Sequence, residues 1–248
     1  MTISRQTIWI ARHGNRLDFV HPEWFNTAAR RYDPPLSDDG AIQAQQLADR
    51  LRTEPIGQIF ASPFRRCVQT AHAVAEVLEL PLQLEWGLGE WLNADWMTAM
   101  PETAPIAELQ AEFPRVDPAS GSITKPQYPE TEPECLARSG DTARAIADRH
   151  LLDQATREEA QTQTGQEPQN RQDILFVGHG ATVHGMIWGF LEDRPIVKAP
   201  LCCLTRIDRE LDHASLPVNG ETIATSTRLI LNCDTSHLSQ PTETLRFN

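Results

Sequence analysis

The chain has 248 residues, of which 40% are hydrophobic and 23% are charged, a balance typical of a folded domain that excludes disorder throughout. Its formal net charge of -12 at pH 7 argues against a nucleic-acid partner, because binding to a phosphate backbone requires clustered Lys and Arg. At this length we expect a single domain over residues 1–248.

The cysteines and the hydropathy pattern bear on cellular location. The five cysteines are odd in number and show no CxxC spacing, so neither a disulfide framework nor a zinc site is indicated. The N-terminal stretch has no apolar run of signal-peptide length, and no run approaches the roughly 20 residues that span a bilayer. We therefore expect a cytoplasmic protein with no membrane partner.

The first predicted elements alternate between strands and helices. Three short apolar runs have the near-continuous hydrophobicity of strands that are covered on both faces. They lie at residues 7–11, 58–61 and 174–177. Apolar residues recur at helical spacing over residues 36–53, where Ser37 can cap the first turn, and again over residues 63–80.

The remaining elements complete the predicted sheet. A helix is expected over residues 181–191, followed by strand-like runs at 202–211 and 227–233. This order predicts a three-layer α/β/α fold with a mostly parallel central sheet. Two segments interrupt the pattern: the proline-containing residues 97–133 are predicted to form a lid insertion, and the polar residues 154–172 a surface loop.

Arginine and histidine residues follow three of the predicted strands. Arg12, His13 and Arg16 come after the first strand, Arg65 and Arg66 after the second, and His179 after the third. Ligands of open α/β sheets bind at the carboxyl ends of the strands. Guanidinium groups match phosphate oxygens in geometry, and such charge-assisted hydrogen bonds are about twice as strong as neutral ones. The pattern therefore predicts a site for a phosphoryl dianion.

Four sequence blocks, in this order, resemble the histidine phosphatase superfamily, which includes the cofactor-dependent phosphoglycerate mutases. They are RHG at 12–14, LSDDGAIQAQQLADRL from Leu36, ASPFRRCVQTA from Ala61 and LFVGHGATVHGM from Leu175. LILNCDTSHL near the end extends the likeness over most of the chain. The stretches RHGNRLDF, SPFRRCVQTA and GLGEW are most similar to the phosphatase domains of UBASH3-type proteins. The resemblance implies a phosphoglycerate mutase-like fold.

The resemblance also implies a phosphomonoester hydrolase that works through a phosphohistidine intermediate. The implied catalytic residues are His13 as nucleophile, Glu90 as proton donor and His179, and the implied phosphate-binding residues are Arg12, Arg16 and Arg66. No metal or other cofactor is implied. Neighbouring cations should lower the pKa of His13 and keep its imidazole neutral, as a nucleophile must be.

Two positions within these blocks qualify the assignment. Arg66, rather than Arg65, matches the phosphate-binding arginine of the family by motif position. Asn15 departs from the glutamate common in UBASH3-type proteins, which affects the expected substrate and not the phosphate site. The expected partner is a small phosphorylated substrate or a phosphopeptide.

The acid is expected in a stretch that contains several tryptophans. Glu90 lies between Trp86 and Trp91, with Trp96 close behind, and poorly solvating aromatic walls would raise its pKa. Glu85 is the rival acid, although its place in the strand-like LQLEW makes it less able to reach the site.

Aromatic residues also suggest the kind of phosphomonoester. Trp24, Phe25, Trp91 and Trp96 are expected near the site and favour an aryl or hydrophobic substrate such as phosphotyrosine.

Three alternative functions can be stated from the residues. Cys203 and Arg209 have the Cys-x5-Arg spacing of cysteine phosphatases, but CLTRIDR alternates like a strand and lacks the chemistry of a phosphate-cradling loop. A phosphoglycerate mutase would carry an ERHYG block where GEWLNADW stands. A non-catalytic phospho-ligand binding module would not need a general acid.

His179 and His184 are offset by five residues, which places them on different faces of a helix and argues against a metal pair.

Overall fold

The computed structural model describes residues 3–164, 173–212, 224 and 226–240. The strands are β1 (Ile3–Arg12), β2 (Ile56–Ala61), β3 (Leu82–Leu84), β4 (Asp173–Gly178), β5 (Leu204–Asp212) and β6 (Ser226–Asp234). The α-helices are α1 (Leu17–Val20), α2 (Trp24–Thr27), α3 (Asp38–Leu51), α4 (Arg65–Leu78), α5 (Ile106–Glu112), α6 (Glu132–Thr164) and α7 (Gly180–Phe190). A single 3-10 turn covers Trp86–Leu88.

The six strands form one sheet in the order β3-β2-β4-β1-β5-β6. β3, β2, β4 and β1 are parallel to one another, whereas β5 pairs antiparallel with both β1 and β6 at one edge. Ala61 pairs with Val177 and Arg12 pairs with Gly178, so the carboxyl ends of β2, β4 and β1 lie side by side. The predicted α/β fold with a mostly parallel sheet is confirmed.

Helices cover both faces of the sheet, which explains the continuous apolar runs. Trp9 packs among buried side chains of α3 and α4, whereas Ile8 and Ile10 pack among those of α6 and α7. All three side chains are fully buried. Successive residues of a strand face opposite sides, so the part of a strand that lies between two helical layers is apolar at successive positions, as from Ile8 to Ala11. The predicted helix cap is also present, since Ser37 Oγ accepts from the Gly40 amide at 3.3 Å.

The predicted surface loop over residues 154–172 is wrong for residues 154–164, which form the end of α6. Leu151 and Ala155 are buried against Leu211 of β5, and Gln154 Nε2 donates to the Arg5 carbonyl at 3.2 Å. These few contacts with the sheet hold a helix whose composition is otherwise polar. Residues 165–172 of the predicted loop lie outside the described residues.

The segment predicted as a lid, residues 97–133, contains the short helix α5 and is otherwise irregular. Its movement stays a prediction. Among the described residues, no helix combines the length and the apolar character needed to cross a membrane.

Candidate active site

Three neighbouring strand ends bring the two histidines together. The His13 amide, directly after β1, donates to the Gly178 carbonyl at 3.0 Å, and the Ser62 amide, directly after β2, donates to the Val177 carbonyl at 3.0 Å. His179 follows β4 and precedes the first residue of α7. The ring centroids of His13 and His179 lie 5.3 Å apart. The convergence expected from the sequence is therefore present.

The tautomer of His13 follows from its one hydrogen bond. Nδ1 lies 2.7 Å from the Gly14 carbonyl oxygen, and a carbonyl can only accept. This assigns the proton to Nδ1 and leaves a lone pair on Nε2. Burial, followed by the charges of Arg66 and Arg12, holds the pKa of His13 well below its usual value. The ring is a neutral base at pH 7.

Two buried guanidinium groups have donors without acceptors. Arg66 is 1% exposed, and its Nη2 lies 3.0 Å from both Glu90 Oε2 and His179 Nδ1. Arg12 Nη1 donates to the Ala199 carbonyl at 2.8 Å. Within the described part of the chain, the buried Nε and Nη1 of Arg66 and Nε of Arg12 find no hydrogen-bond partner. An oxyanion placed beside them would supply the missing acceptors.

Ser62, which the sequence analysis missed, orients His179. Its Oγ lies 2.8 Å from His179 Nε2. The Nδ1 atom of the same ring lies 3.0 Å from Arg66 Nη2 and 3.3 Å from Glu90 Oε2, so Ser62 holds His179 between these two residues. Burial lowers the pKa of His179 to about 4, against the opposing attraction of Glu90. The short motif ASP before FRRC was the available signal for a serine at this strand end.

The electrostatic state of Glu90 differs from the expectation. Burial alone would raise its pKa, but the interactions with His179 and Arg66 outweigh burial and hold the pKa well below its usual value. The side chain is 14% exposed, and its Oε2 lies 3.3 Å from His179 Nδ1. The expectation of a raised pKa is therefore wrong for the unliganded site. Tryptophans reduce solvation, but adjacent cations decide the protonation state.

The tryptophan next to Glu90 packs away from the carboxylate. The rings of Trp91 and Trp96 meet edge to face with centroids 4.9 Å apart, and Trp96 is 48% exposed. The Trp91 amide donates to Glu90 Oε1 at 3.1 Å.

Arg16 lies at the rim of the site. Its Nε and Nη2 donate to the two carboxylate oxygens of Asp18 at 2.9 and 2.5 Å, and its guanidinium covers the Phe19 ring at 4.5 Å. Asp18 is a second residue that the sequence analysis missed. Burial lowers the pKa of Arg66, and the charge of Arg16 lowers it further.

Arg65 and Arg66 point in different directions at the start of α4. The Arg65 side chain contacts Glu112, and its amide donates to the buried Asp33 at 2.6 Å. Arg66, in contrast, contacts His179. The placement agrees with the choice of Arg66 by motif position.

The Glu85 carboxylate accepts hydrogen bonds from backbone amides. Its carboxylate accepts from Gly87 at 2.7 Å, from Ile123 at 2.8 Å and from Thr124 at 3.4 Å. It is 2% exposed, and burial raises its pKa. The structure assigns it to holding two loops together, away from the histidines.

The rival cysteine motif lies in a strand, as the alternation predicts. Residues from Leu204 onward form β5, and the Cys203 carbonyl accepts from the Arg12 amide at 3.2 Å. Arg209 contacts Asp148 and donates to Gln6 Oε1 at 3.0 Å. The residues that follow Cys203 thus form a strand instead of a phosphate-cradling loop. His184 packs on Trp188, with ring centroids 4.1 Å apart, and does not join His179.

Three residues of the site also have the side-chain types that bind metal ions. His13, Glu90 and His179 each offer a ligand atom within 4.8 Å of the others. A cation among them would have to displace Arg66, which lies 3.0 Å from two of the three residues. With Arg12 also adjacent, the local charge fits an anion better than a metal ion.

Taken with the fold, this geometry is that of an α/β protein whose parallel strands present cations at one edge of the sheet. Residues 8–219 match the family model of the histidine phosphatase superfamily (branch 1), and the chain belongs to this superfamily. The resemblance stated from the sequence blocks is confirmed.

Curated relatives match parts of the chain. The 55 kDa subunit of transcription factor tau from Saccharomyces cerevisiae is 35% identical over 139 residues, which cover 53% of this chain and 32% of that protein. Human ubiquitin-associated and SH3 domain-containing protein A is 26% identical over 222 residues, covering 73% of this chain and 30% of that protein. The ecdysteroid-phosphate phosphatase of Drosophila melanogaster is 28% identical over 151 residues, covering 46% of this chain and 20% of that protein. The chain thus spans a third or less of the length of these relatives.

Solved structures share the fold over nearly the whole chain. The ecdysone phosphate phosphatase of Bombix mori, in complex with tungstate, has a TM-score of 0.64 and 20% identity, covering 98% of both chains. A mycobacterial glucosyl-3-phosphoglycerate phosphatase has a TM-score of 0.56 and 19% identity, covering 94% of this chain and all (100%) of that chain. At these identities the likeness establishes the fold.

Proposed function

We propose that the protein hydrolyses phosphomonoesters through a phosphohistidine formed on His13. The observation that carries the proposal is the neutral Nε2 of His13 beside the unpartnered donors of Arg12 and Arg66. Nε2 attacks phosphorus, and the P–N bond forms as the bond to the leaving oxygen breaks. Arg12, Arg66 and His179 hold the equatorial oxygens, and Arg16 adds positive charge from the rim.

Glu90 acts as the acid because substrate binding changes its surroundings. In the free site Arg66 and His179 keep the carboxylate ionised. A bound dianion shares Arg66 and repels the carboxylate, so the pKa of Glu90 rises and the side chain takes up a proton. It gives this proton to the leaving oxygen. In the second step it removes a proton from the water that attacks phosphorus, and His13 departs as a neutral ring.

The proposed substrate carries an aryl or otherwise apolar group. Phe25 and Tyr32 pack edge to face at 5.7 Å, and the Tyr32 hydroxyl lies 3.1 Å from Thr98 Oγ1. This links the aromatic residues of the α2 region to the segment that carries Trp96. Among the relatives, two are named for ecdysteroid or ecdysone phosphate, in which a steroid carries the phosphate. A small substrate and a phosphotyrosine peptide would both suit these aromatic residues.

The other predicted partners and the location are part of the proposal. The net charge of -12 argues against nucleic acid, although one relative is named as a transcription factor subunit. We retain the predictions of a cytoplasmic protein with no membrane partner. Since the donor set favours an anion, we also propose that the reaction needs no metal ion or other cofactor.

One assay tests the proposed function. Incubation with para-nitrophenyl phosphate in EDTA should release phosphate, and His13→Ala should abolish the release while leaving the circular dichroism spectrum unchanged. Acid quench of a reaction with labelled substrate should trap an acid-labile phosphoryl group on the wild type. Exchange between 2- and 3-phosphoglycerate without net release would instead indicate a mutase, and phosphate binding without turnover would indicate a binding module.

A further inference from the structure

Arg138 of α6 contacts the main chain of the segment that carries Glu90. Its side chain is 7% exposed. Nη1 donates to the Gly87 carbonyl at 2.8 Å, and both terminal nitrogens lie 3.3 Å from the Gly89 carbonyl. Nη2 also lies 3.3 Å from the carbonyl of Glu90 itself. One guanidinium thus holds the main chain on both sides of the proposed acid.

Glu130 completes this clamp, which we define as Arg138 and Glu130. Its carboxylate accepts from Arg138 Nε at 2.9 Å and Nη2 at 2.5 Å, and from the Leu92 amide at 3.0 Å. Its backbone carbonyl accepts from Trp91 Nε1 at 2.9 Å, and its amide donates to the Leu92 carbonyl at 3.1 Å. The residues directly after Glu90 are therefore fixed to Glu130.

The same segment packs closely against α6. A Cβ atom at Gly87 would lie 2.3 Å from Thr142 Oγ1, so only glycine allows this approach. The turn therefore sits within reach of Arg138, which lies one helical turn before Thr142. Burying two charged side chains has a desolvation cost, which this pair offsets with hydrogen bonds to each other and to the backbone.

We infer that the Arg138–Glu130 clamp positions Glu90 for proton donation, an inference that rests on the proposed function. In the free site, Glu90 is held through its side chain by Arg66 and His179. A substrate dianion diverts Arg66 to the phosphoryl oxygens. The carboxyl group then depends on its main chain for its position, and that main chain is held by the clamp. Arg138 and Glu130 are positioning residues in this scheme.

The test compares two aryl phosphates of nearly equal shape. Para-nitrophenolate is a weak base that leaves with little help from an acid, whereas phenolate needs protonation. Arg138→Gln should lower kcat/KM for phenyl phosphate by about 30-fold and that for para-nitrophenyl phosphate by about 3-fold or less, since misplacing a general acid costs up to about 100-fold. Arg138→Lys keeps the charge but loses the fork, so its ratio should lie between wild type and Arg138→Gln.

Arg209→Gln is the matched control. Arg209 is also buried, 2% exposed, and pairs with Asp148 of the same helix. Arg209→Gln should lower kcat/KM for both substrates by the same factor, because it acts through stability alone. An Arg138 variant that behaves in the same way overturns the inference. If Arg138→Gln does not fold, Arg138→Lys and Glu130→Gln decide by the same ratio.

Glu90→Gln separates this inference from the proposed function. It should show a larger selective loss on phenyl phosphate than either clamp variant. If Glu90→Gln affects both substrates equally, Glu90 is not the acid and the proposed function is wrong in that step. If Glu90→Gln is selective and the clamp variants are not, only the clamp is refuted.

Discussion

Replacing Arg66 with Met should remove most of the stabilisation of the protein by inorganic phosphate. The buried Nε and Nη1 of Arg66 and Nε of Arg12 find no acceptor among the described residues. Each buried donor left unpaired costs about 1–3 kcal/mol, so three of them represent up to about 3–9 kcal/mol that an oxyanion could recover before its own desolvation is counted. Removal of Arg66 takes away two of the three donors and a unit of charge.

Thermal unfolding measures this effect. At a phosphate concentration of about 100 times Kd, linkage stabilises the folded protein by about 2.7 kcal/mol. For a chain of this length, that corresponds to a rise in Tm of about 5–10 °C. Arg66→Met should reduce the rise to about 2 °C or less, because one orphaned donor remains. The titration is run at constant ionic strength with chloride as the reference, so that screening does not contribute.

Arg65→Met is the matched control, since Arg65 neighbours Arg66 in the chain and contacts Glu112 away from the site. It should keep the full rise in Tm. If Arg66→Met keeps it as well, or if the wild-type Tm does not move over the titration, the unpartnered guanidinium donors do not form an anion site. The assignment of Arg66 would then fail, whatever the protein hydrolyses.

Three further predictions concern pH and single residues. The pKa of His179 is lowered to about 4 from a usual 6.5, and that of His13 is lowered as well. The unfolded chain therefore binds more protons than the folded protein between pH 6.5 and 4. The free energy of unfolding should fall as pH drops through this range. Glu90, whose pKa is depressed, should add to this loss below pH 4.5; urea unfolding at several pH values checks both, and a flat profile would contradict them. Glu85→Gln should keep kcat/KM within about threefold but lower the free energy of unfolding by about 1–3 kcal/mol, because a backbone amide loses its acceptor. Cys203→Ser should leave phosphatase activity nearly intact, and a loss of several orders of magnitude would restore the cysteine mechanism.

The residues that could be predicted from the sequence are those tied to strand ends. His13, Arg66 and His179 directly follow apolar runs or turn motifs, and parallel strands must end at a common edge. Their meeting therefore follows from local patterns alone. The same patterns predicted the two-sided burial of β1.

The remaining features depend on distances that no local pattern contains. The pKa of Glu90 is set by burial and by His179 and Arg66, which approach from other elements, and not by the tryptophans beside it in the chain. Arg138 reads as one more charged residue of a helix, yet it binds carbonyls about fifty residues earlier, from Gly87 to Glu90. The helical end of α6 was missed because few of its residues are apolar, and of these Ala155 packs against the sheet whereas Ala160 is exposed.

The site contains opposed charges whose balance a phosphoryl group would change. Burial and Arg16 lower the pKa of Arg66, while burial lowers that of Arg12, so both cations are disfavoured where they stand. The Glu90 carboxylate offsets both, and it contacts Arg66 directly at 3.0 Å. A dianion would relieve the cations and in the same step repel Glu90, which is then driven to take up a proton. In the proposed mechanism, substrate binding therefore protonates Glu90, and the clamp of Arg138 and Glu130 keeps Glu90 in place when its side-chain contacts are shared with the substrate.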